Sequence, residues 1–406
     1  MESLIEMYKI GKGPSSSHTV GPFRIMKKYI QYYPTVKSLT VFLYGSLALT
    51  GKGHHTDSAI ISAAEGRNVQ VIWDVTSIPE HPNTMEIHGV QADGIELPKM
   101  RAHSIGGGSI EIVDDPHPVN IDVYPHNNFS QIREWCIDNN KTLVDYVKKF
   151  DKIGWESLPR IWAAMSKSVV EGLKDNDKFA SAIKITKKAK IVYDKLKNGN
   201  YDPKSPLYAM AYAYAVSELN VMGGEVVTSP TLGSARVIPS VLYYAWKHRG
   251  YELEKIYEAL AVAGIVGNCF KHNGSIAGAT GGCQAEIGVS CSMAAAAYCY
   301  LIGGSLKEIE AAAIIGMEHH LGLTCDPILG YVYSPCIERN GSVCLRAIIS
   351  AEQSILTNGI HDIFDLDDIV AVELKTGNDL KEEYRETGKG GLSKCYLQKY
   401  LGEKSE

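Results

Sequence analysis

The sequence predicts two units: an α+β domain over residues 1–127 and a mostly α-helical domain over residues 128–406. Two observations predict this division. Apolar runs with strand character, separated by turns, are confined to the first third of the chain, whereas long helix-period patterns dominate the remainder. Proline and consecutive asparagines at residues 124–130 break both periodicities, so the boundary is expected there.

The first domain is expected to contain several short strands and one early helix. The helix covers residues 56–66, where apolar residues recur at helical spacing. The predicted strands are SLTVFLYGSLAL (38–49), VQVIWDV (69–75), TMEIHGVQ (84–91), SIEIVDD (109–115) and VNIDVYP (119–125).

The second domain is expected to be built from long helices. The clearest patterns cover residues 158–174, 178–197, 206–220, 254–268, 284–302 and 306–318. The most apolar stretch, VSCSMAAAAYCYLIGG (289–304), follows Gln284 and Glu286 and is rich in alanine. These features favour a packed helix of a globular protein over a membrane span.

Composition narrows the functional class. The chain has 41 Lys and Arg against 46 Asp and Glu, a net charge of -5, so no cationic excess favours nucleic-acid binding. The first residues, MESLIEMYKIGKG, do not resemble a secretory signal, and we expect a cytoplasmic protein. In a reducing compartment the nine cysteines are expected to be core residues or soft-metal ligands, not disulfides.

Three of the nine cysteines lie at turns in glycine-rich segments of the helical domain. They are Cys283, Cys325 and Cys336, whereas Cys136, Cys269, Cys291, Cys299 and Cys344 read as small core residues. The spacing of the three matches neither a zinc ribbon nor a two-cluster ferredoxin. Spacing alone therefore leaves two interpretations open, buried thiols and a metal site.

Residues 10–22, IGKGPSSSHTVGP, place polar side chains between two Gly-Pro turns. Such turns fix the backbone, so the polar groups are expected to form a rigid site. The hydroxyls suit the binding of a carboxylate, and they belong to Ser15, Ser16, Ser17 and Thr19. A second interpretation remains open, in which the segment only caps a helix that starts near Gly21.

Two histidines are candidates for proton transfer. His18 lies in this serine-rich segment, and His54 lies in GSLALTGKGHHTD (45–57). Imidazole is the usual general base near neutral pH, so both are predicted to be catalytic. The neighbouring His55 is expected to be exposed. The hydroxyls of residues 228–234 also suit contact with a substrate or a phosphate.

Five motifs together resemble one known family. In chain order they are GKGPSSSHTVGP, GSLALTGKGHHTD, GGCQAEIGVSCSMAAAA, GLTCDPILG and PCIERN. They are similar to the iron–sulfur-dependent bacterial L-serine dehydratases (L-serine ammonia-lyases), in the form that fuses the β and α domains. The resemblance extends from Met7 to about Leu392.

The resemblance implies a site and a reaction. Cys283, Cys325 and Cys336 would bind a [4Fe-4S] cluster in the helical domain, and the four hydroxyl residues of the serine-rich segment would bind the substrate carboxylate. His18 and His54 match the two active-site histidines of the family. The implied reaction is the pyridoxal-independent conversion of L-serine to pyruvate and ammonia, a step of amino-acid catabolism and gluconeogenesis. In it the open iron acts as a Lewis acid on the hydroxyl while one histidine, not yet distinguished, takes the Cα proton.

Three positions depart from the family pattern. Family members often end in a cysteine that occupies the open iron, whereas this sequence ends KYLGEKSE and offers Cys395 as a candidate substitute. Arg236 stands where the resemblance implies glycine, and His272 stands where it implies an acidic residue.

Other functions stay open at this stage. A lyase of the same class acting on L-cysteine or L-threonine would share the carboxylate and amine contacts. A non-catalytic relative would bind zinc, or no metal, in the cysteine loops. The partner is expected to be a small amino acid, with no nucleic acid and no membrane, and the apolar helical domain is compatible with a homodimer.

Overall fold

A computed structural model of the protein describes residues 1–113, 115, 122–174 and 186–402. The predicted succession of an α+β region and a mostly helical region is confirmed. The elements of the first region, in chain order, are α1 Leu4–Met7, β1 Ile10–Lys12, α2 Gly21–Tyr32, β2 Val36–Tyr44, α3 Gly45–Thr50, α4 Thr56–Ala63, β3 Asn68–Asp74, β4 Thr84–Gln91, β5 Met100–Gly106 and β6 Ser109–Ile112.

The first region is built on a five-stranded sheet in the order β3-β2-β4-β5-β6. Strands β2 and β3 run parallel, and the other neighbouring pairs are antiparallel. Helix α2 packs on β4, β5 and β6 and buries Ile25, Met26 and Tyr29 in the same core as Val41 and Leu43 of β2. The sheet thereby fixes the start of α2, which directly follows the serine-rich segment.

The run predicted as one strand over residues 38–49 changes structure at Gly45. Strand β2 ends at Tyr44, and residues 45–50 form helix α3, so the second half of that prediction is wrong. Gly45 has φ +55°, and a Cβ atom there would lie 2.5 Å from the carbonyl oxygen of Pro82. Only glycine accommodates this turn, and the apolar residues after it continue on a helix that carries the histidine segment.

The remaining strands agree with the sequence to different degrees. The predicted strand over 84–91 is confirmed as β4, and the run over 109–115 is a strand only to Ile112. Residues 119–121 of the run predicted over 119–125 lie outside the described residues. Strand β5 was not expected, because Arg101 and His103 interrupt its apolar pattern; Arg101 lies opposite Glu86 of β4 and pairs with it at 2.9 Å.

The second region is a helical assembly with one short strand. Its elements are α5 Phe129–Asp138, α6 Leu143–Phe150, α7 Lys152–Gly172, α8 Ala189–Asn198, α9 Leu207–Val221, β7 Glu225–Val227, α10 Val237–Arg249, α11 Leu253–Asn273, α12 Gly278–Gly281, α13 Val289–Leu301, α14 Leu306–Glu318, α15 Cys336–Leu356, α16 Leu366–Asp379 and α17 Gly391–Leu401. Part of the helix predicted over 178–197 lies outside the described residues.

Helix α13 is the centre of the helical region. It packs against α10, α11, α14 and α15, and its alanines allow these helices to approach closely. Cys291 and Cys299 are fully buried in this core, as predicted for small core residues, and Cys136, Cys269 and Cys344 are buried in it too. Among the described residues, no helix combines the length and the apolar character that a membrane crossing requires.

The two regions are joined by the start of the chain. Leu4 and Met7 of α1 are buried in the helical core, and β1 pairs antiparallel with β7, with Ile10 opposite Val227. The backbone N–H of Lys9 also donates to Thr228 Oγ1 at 2.8 Å. The serine-rich segment therefore leaves a strand that is already attached to the helical region.

Helix α16 is tied to the loop before α12 by a buried carboxylate. Glu373 Oε2 accepts the backbone N–H of Ser275 at 2.9 Å, whereas Oε1 has no partner among the described residues. Burial raises the pKa of Glu373 to about 7. The pKa of Glu373 is thus higher in the folded than in the unfolded protein. Its protonated carboxyl therefore contributes stability that is fully present below about pH 4.5 and is lost as the pH rises through about 7.

The Glu373→Gln variant is therefore expected to gain stability relative to the wild type at pH 8, by roughly 2 kcal/mol, and much less at pH 5. Melting temperatures at the two pH values measure this. The exposed Asp379 of the same helix supplies the control, since Asp379→Asn should change stability equally at both. A Glu373→Gln effect that is the same at pH 5 and pH 8 would contradict the interpretation.

Candidate active site

The serine-rich segment forms one π-helical turn, Ser16–Val20, that leads directly into α2. The start of α2 has no side-chain cap, so the interpretation in which this segment only caps the helix is wrong. The predicted hydroxyl residues and His18 are all buried. Burial of so many polar groups in one turn requires that each has a partner or faces a ligand.

Two of the four hydroxyls hold the segment in place. Ser16 Oγ accepts the backbone N–H of Leu232 at 2.6 Å, which fixes the turn to the helical region. Thr19 Oγ1 donates to the carbonyl of Ser15 within the turn. The other two hydroxyls face His18: its Nδ1 lies 3.0 Å from Ser17 Oγ and 3.4 Å from Ser15 Oγ.

The two predicted catalytic histidines lie against each other. The rings of His18 and His54 are stacked with their centroids 4.4 Å apart and an interplanar angle of 27°. Both are fully buried. Burial lowers the pKa of His18 well below its usual value, with His54 adding to the effect, and burial lowers the pKa of His54 to about 4. Both imidazoles are therefore neutral at pH 7.

Hydrogen bonds distinguish the two imidazoles. His54 Nδ1 lies 2.9 Å from the carbonyl of Thr50, which only accepts, so Nδ1 carries the proton and Nε2 carries the lone pair. Nε2 has no partner among the described residues. His18 instead uses both nitrogens. Its Nδ1 lies beside Ser17 Oγ, and its Nε2 donates at 2.9 Å to Thr50 Oγ1, which itself donates to the carbonyl of Ser46.

A glutamate that the sequence did not indicate joins the two histidines. Glu386 Oε1 lies 3.7 Å from both His18 Nδ1 and His54 Nε2. The carboxylate is buried and its Oε2 has no partner within the described chain. Burial raises the pKa of Glu386 well above its usual range, while a hydrogen bond from Ser15 lowers it in part.

Glu386 is positioned by one of the predicted cysteines. The N–H of Cys325 donates to the carbonyl of Tyr384 at 2.7 Å, and the N–H of Glu386 donates to the carbonyl of Cys325 at 2.9 Å. One sequence feature could have indicated that Glu386 belongs to this cavity. The glycine-rich run TGKGG (387–391) follows it and breaks the helical pattern, as the cysteine loops do.

The three loop cysteines converge on one small cavity. Cys283, Cys325 and Cys336 are buried and line it together, and the other wall contains Ser15 and Glu386. Cys283 and Cys325 are hydrogen-bonded, and this bond lowers the pKa of the Cys283 thiol. The structure thus brings the predicted metal ligands and the predicted substrate segment to the same space.

Positive groups surround the sulfur atoms. Arg339 Nη1 lies 3.2 Å from Cys283 Sγ, and Cys336 is the first residue of α15, at the positive end of that helix. Arg236 is fully buried and lines the same cavity, and burial lowers its pKa to about 10. Its Nε and Nη2 have no partner among the residues described.

These groups fit an anionic cluster bound by thiolates. Three sulfur donors line the cavity, with no fourth cysteine among the described residues that line it, and this number matches a cluster with one open metal position. The unpaired nitrogens of Arg236 provide the positive charge that such a buried anion requires. The residues present therefore fit the iron–sulfur group that the resemblance implies.

Two other residues singled out from the sequence do not line this cavity. His272 lines a separate cavity beside Ser275 and Lys271. Cys395 is exposed on α17, so the structure does not bring it to the cysteine cavity in place of a terminal cysteine. His55 is exposed, as predicted.

Comparison with known proteins identifies the family. The sequence model for the serine dehydratase alpha chain matches residues 125–393, and the model for the beta chain matches residues 3–77. The chain belongs to the serine dehydratase family. The family and the lyase class predicted from the five motifs are confirmed.

Several relatives match this chain over nearly their whole length. L-serine dehydratase 1 of Escherichia coli is 33% identical, with 97% of this chain and 99% of the relative covered. The L-serine dehydratase of Haemophilus influenzae is 34% identical over 97% and 99% of the two chains. That of Streptomyces coelicolor is 33% identical over 96% and 98%.

The contact between Ser16 and Leu232 generates a test of how the serine-rich segment is held. Ser16→Ala leaves the N–H of Leu232 buried without an acceptor, which costs about 1–3 kcal/mol. We expect a clear fall in the melting temperature. Ser62→Ala is the control: the side chain is exposed on α4, so its melting temperature should stay close to wild type. Equal melting temperatures for the two variants would contradict the anchoring role.

Proposed function

We propose that this member of the serine dehydratase family converts L-serine to pyruvate and ammonia with a [4Fe-4S] cluster bound by Cys283, Cys325 and Cys336. One observation carries the proposal. The cavity that the three cysteines line also contains Ser15 and Glu386, and Glu386 contacts both histidines. The proposed cluster ligands, the proposed carboxylate-binding residue Ser15 and the carboxylate that lies beside both histidines therefore meet around one small cavity.

The reaction requires both a base and an electrophile. The Cα proton of serine is weakly acidic, and hydroxide is a poor leaving group. A bound cluster with one open iron supplies Lewis-acid chemistry for the hydroxyl. The protein itself must bind the carboxylate, orient Cα toward the base and exclude water from the site.

The base is best assigned to His54. Its Nε2 carries a lone pair, has no partner in the described chain and points toward the carboxylate that lines the cavity. The carbonyl of Thr50 orients the ring through Nδ1. His18 has both nitrogens engaged by hydroxyls, so we assign it the role of orienting His54 and the substrate-binding hydroxyls.

The substrate carboxylate is assigned to the serine-rich segment. Ser15 lines the cavity, and Ser17 lies next to it at 3.1 Å between the hydroxyl oxygens. Ser16 and Thr19 support this pair by fixing the turn. L-threonine and L-cysteine offer the same carboxylate and amine, so these two remain the alternative substrates.

Anaerobic preparation tests the cofactor. The protein purified without oxygen is expected to be brown, to contain iron and sulfide, and to release pyruvate from L-serine. Replacement of Cys283, Cys325 or Cys336 by alanine should abolish both the colour and the activity, because each removes one of three cluster ligands. Cys299→Ala, in the core, and Cys395→Ala, on the surface, are the controls and should keep the iron.

Pyruvate release from L-serine, L-threonine and L-cysteine, measured side by side, identifies the substrate. A fully loaded enzyme that leaves all three unchanged would overturn the proposed activity. Colourless protein that binds zinc and no iron would support the non-catalytic alternative.

The base is tested by proton exchange. His54→Gln should lower kcat by about 100-fold or more, the usual contribution of a general base, and should abolish exchange of the Cα proton of L-serine with deuterated water. His55→Gln, one residue away and exposed, should leave both measurements unchanged. Retention of exchange in His54→Gln together with its loss in His18→Gln would reverse the two assignments.

A further inference from the structure

One set of charged groups in the cavity has no role in the functions assigned above. Glu386 and Glu286 both line it, together with the cysteines, and both are buried. Thr231 Oγ1 donates to Glu286 Oε1 at 2.7 Å, and this bond holds the side chain in position. Carboxylates so deep in a protein are expected to have a cation or a hydrogen-bond donor as a partner. Arg236 provides positive charge near Glu286, whereas Glu386 Oε2 has no hydrogen-bond partner among the described residues.

The two carboxylates converge across a glycine. A Cβ atom on Gly278 would lie 3.1 Å from Glu286 Oε2 and 3.2 Å from Glu386 Oε2. The absence of a side chain at residue 278 therefore leaves open the space between the two oxygens. Glu386 Oε2, which points into this space, has no hydrogen-bond partner among the described residues although the residue is 3% exposed.

A metal ion is a poor match for this space. His18, His54 and Glu386 each present one donor atom close to the others. However, His18 Nδ1 already lies 3.0 Å from Ser17 Oγ, and His18 Nε2 lies 2.9 Å from Thr50 Oγ1. Only His54 Nε2 and the carboxylate remain available, which is fewer than the three protein ligands of a typical catalytic metal site.

An ammonium group matches the space better. Serine bears three polar groups, and the site assigned above accounts for the carboxylate, at the hydroxyls of the serine-rich segment, and for the hydroxyl, on the cysteine side. The α-ammonium group is the remaining one, and it requires anionic acceptors. Glu386 also lies 3.7 Å from His54 Nε2, so an ammonium group bound to it would place Cα beside the base.

We propose that Glu386, together with Glu286 across Gly278, binds the α-ammonium group of the substrate and makes the site selective for α-amino acids over α-hydroxy acids. The inference rests on the proposed function, since it takes an amino acid as the ligand of this cavity. Glu386 thereby touches the substrate and orients it, while His54 takes the proton.

The proposal is tested by binding and not by turnover. L-Alanine and L-lactate have the same carboxylate, methyl group and configuration and differ only in the ammonium or hydroxyl group. Calorimetric titration of the anaerobic, iron-loaded enzyme should show tighter binding of L-alanine. In Glu386→Gln the L-alanine Kd should rise about 10- to 100-fold, as expected for loss of a charged hydrogen bond, with the L-lactate Kd changed less than twofold.

Two controls separate the proposal from other effects. Glu382→Gln changes the same charge four residues away on an exposed side chain, and it should leave both Kd values unchanged. If Glu386→Gln does not retain its iron, the Kd values of the wild type alone test the proposal. Equal affinity of the wild type for L-alanine and L-lactate would overturn it. A Glu386→Gln variant that weakens both ligands equally, or neither, also overturns it.

The binding measurements remain informative whatever the reaction is. Selective binding of L-alanine without turnover of L-serine would contradict the proposed function and leave the ammonium site intact. Turnover of L-serine without any preference for L-alanine over L-lactate would support the proposed function and overturn the ammonium site.

Discussion

The structure depends on the burial of many polar groups in one cavity to which both regions of the chain contribute. Three sulfurs, two carboxylates and an arginine line it, and the two stacked imidazoles lie beside one of these carboxylates, all with little access to water. Each would cost several kcal/mol if it remained without a partner. Several of their atoms have no partner in the described chain, namely Arg236 Nε, His54 Nε2 and Glu386 Oε2. Ligands are expected to complete such an arrangement, which supports the proposed binding of an anionic cluster and a polar substrate.

The fold brings these groups together by attaching the start of the chain to the helical region. Strand β1 pairs with β7, and Ser16 accepts a backbone N–H from Leu232, so the serine-rich turn is held against the helical region on two sides. The five-stranded sheet then fixes α2 and α3 on the other side of the histidines. Neither region has a complete site by itself, because the cysteines belong to one and the histidines to the other.

The sequence indicated which residues lie in or beside the cavity better than it indicated the contacts between them. Residue types at turns indicated the three cysteines, the two histidines and the serine-rich segment, because glycine and proline mark where polar groups are held rigidly. Glu386 was not found, since it follows Glu382 and Glu383 in a charged stretch that looks like surface, whereas its backbone N–H donates to the carbonyl of the distant Cys325. Likewise, the sequence did not show that Ser16 anchors the turn while Ser15 lines the cavity, because the anchor is Leu232, 216 residues away.

The secondary structure shows the same limit. Periodicity identified α13 and α14 because their burial pattern follows from local sequence, whereas β5 was missed because Arg101 is stabilised by a cross-strand partner, Glu86. The end of β2 at Tyr44 depends on the approach of Pro82 to Gly45, which no local pattern reveals. Contacts between distant segments are thus the part that sequence reasoning did not supply.

The central claim is that the cysteine cavity and the histidine segment form one site on one substrate. Mössbauer spectra of the anaerobic, ⁵⁷Fe-labelled protein with and without L-serine test it most directly. One iron of the cluster is expected to differ from the other three, and its signal alone should change when L-serine is added. Four equivalent irons whose spectra do not respond to L-serine would contradict it.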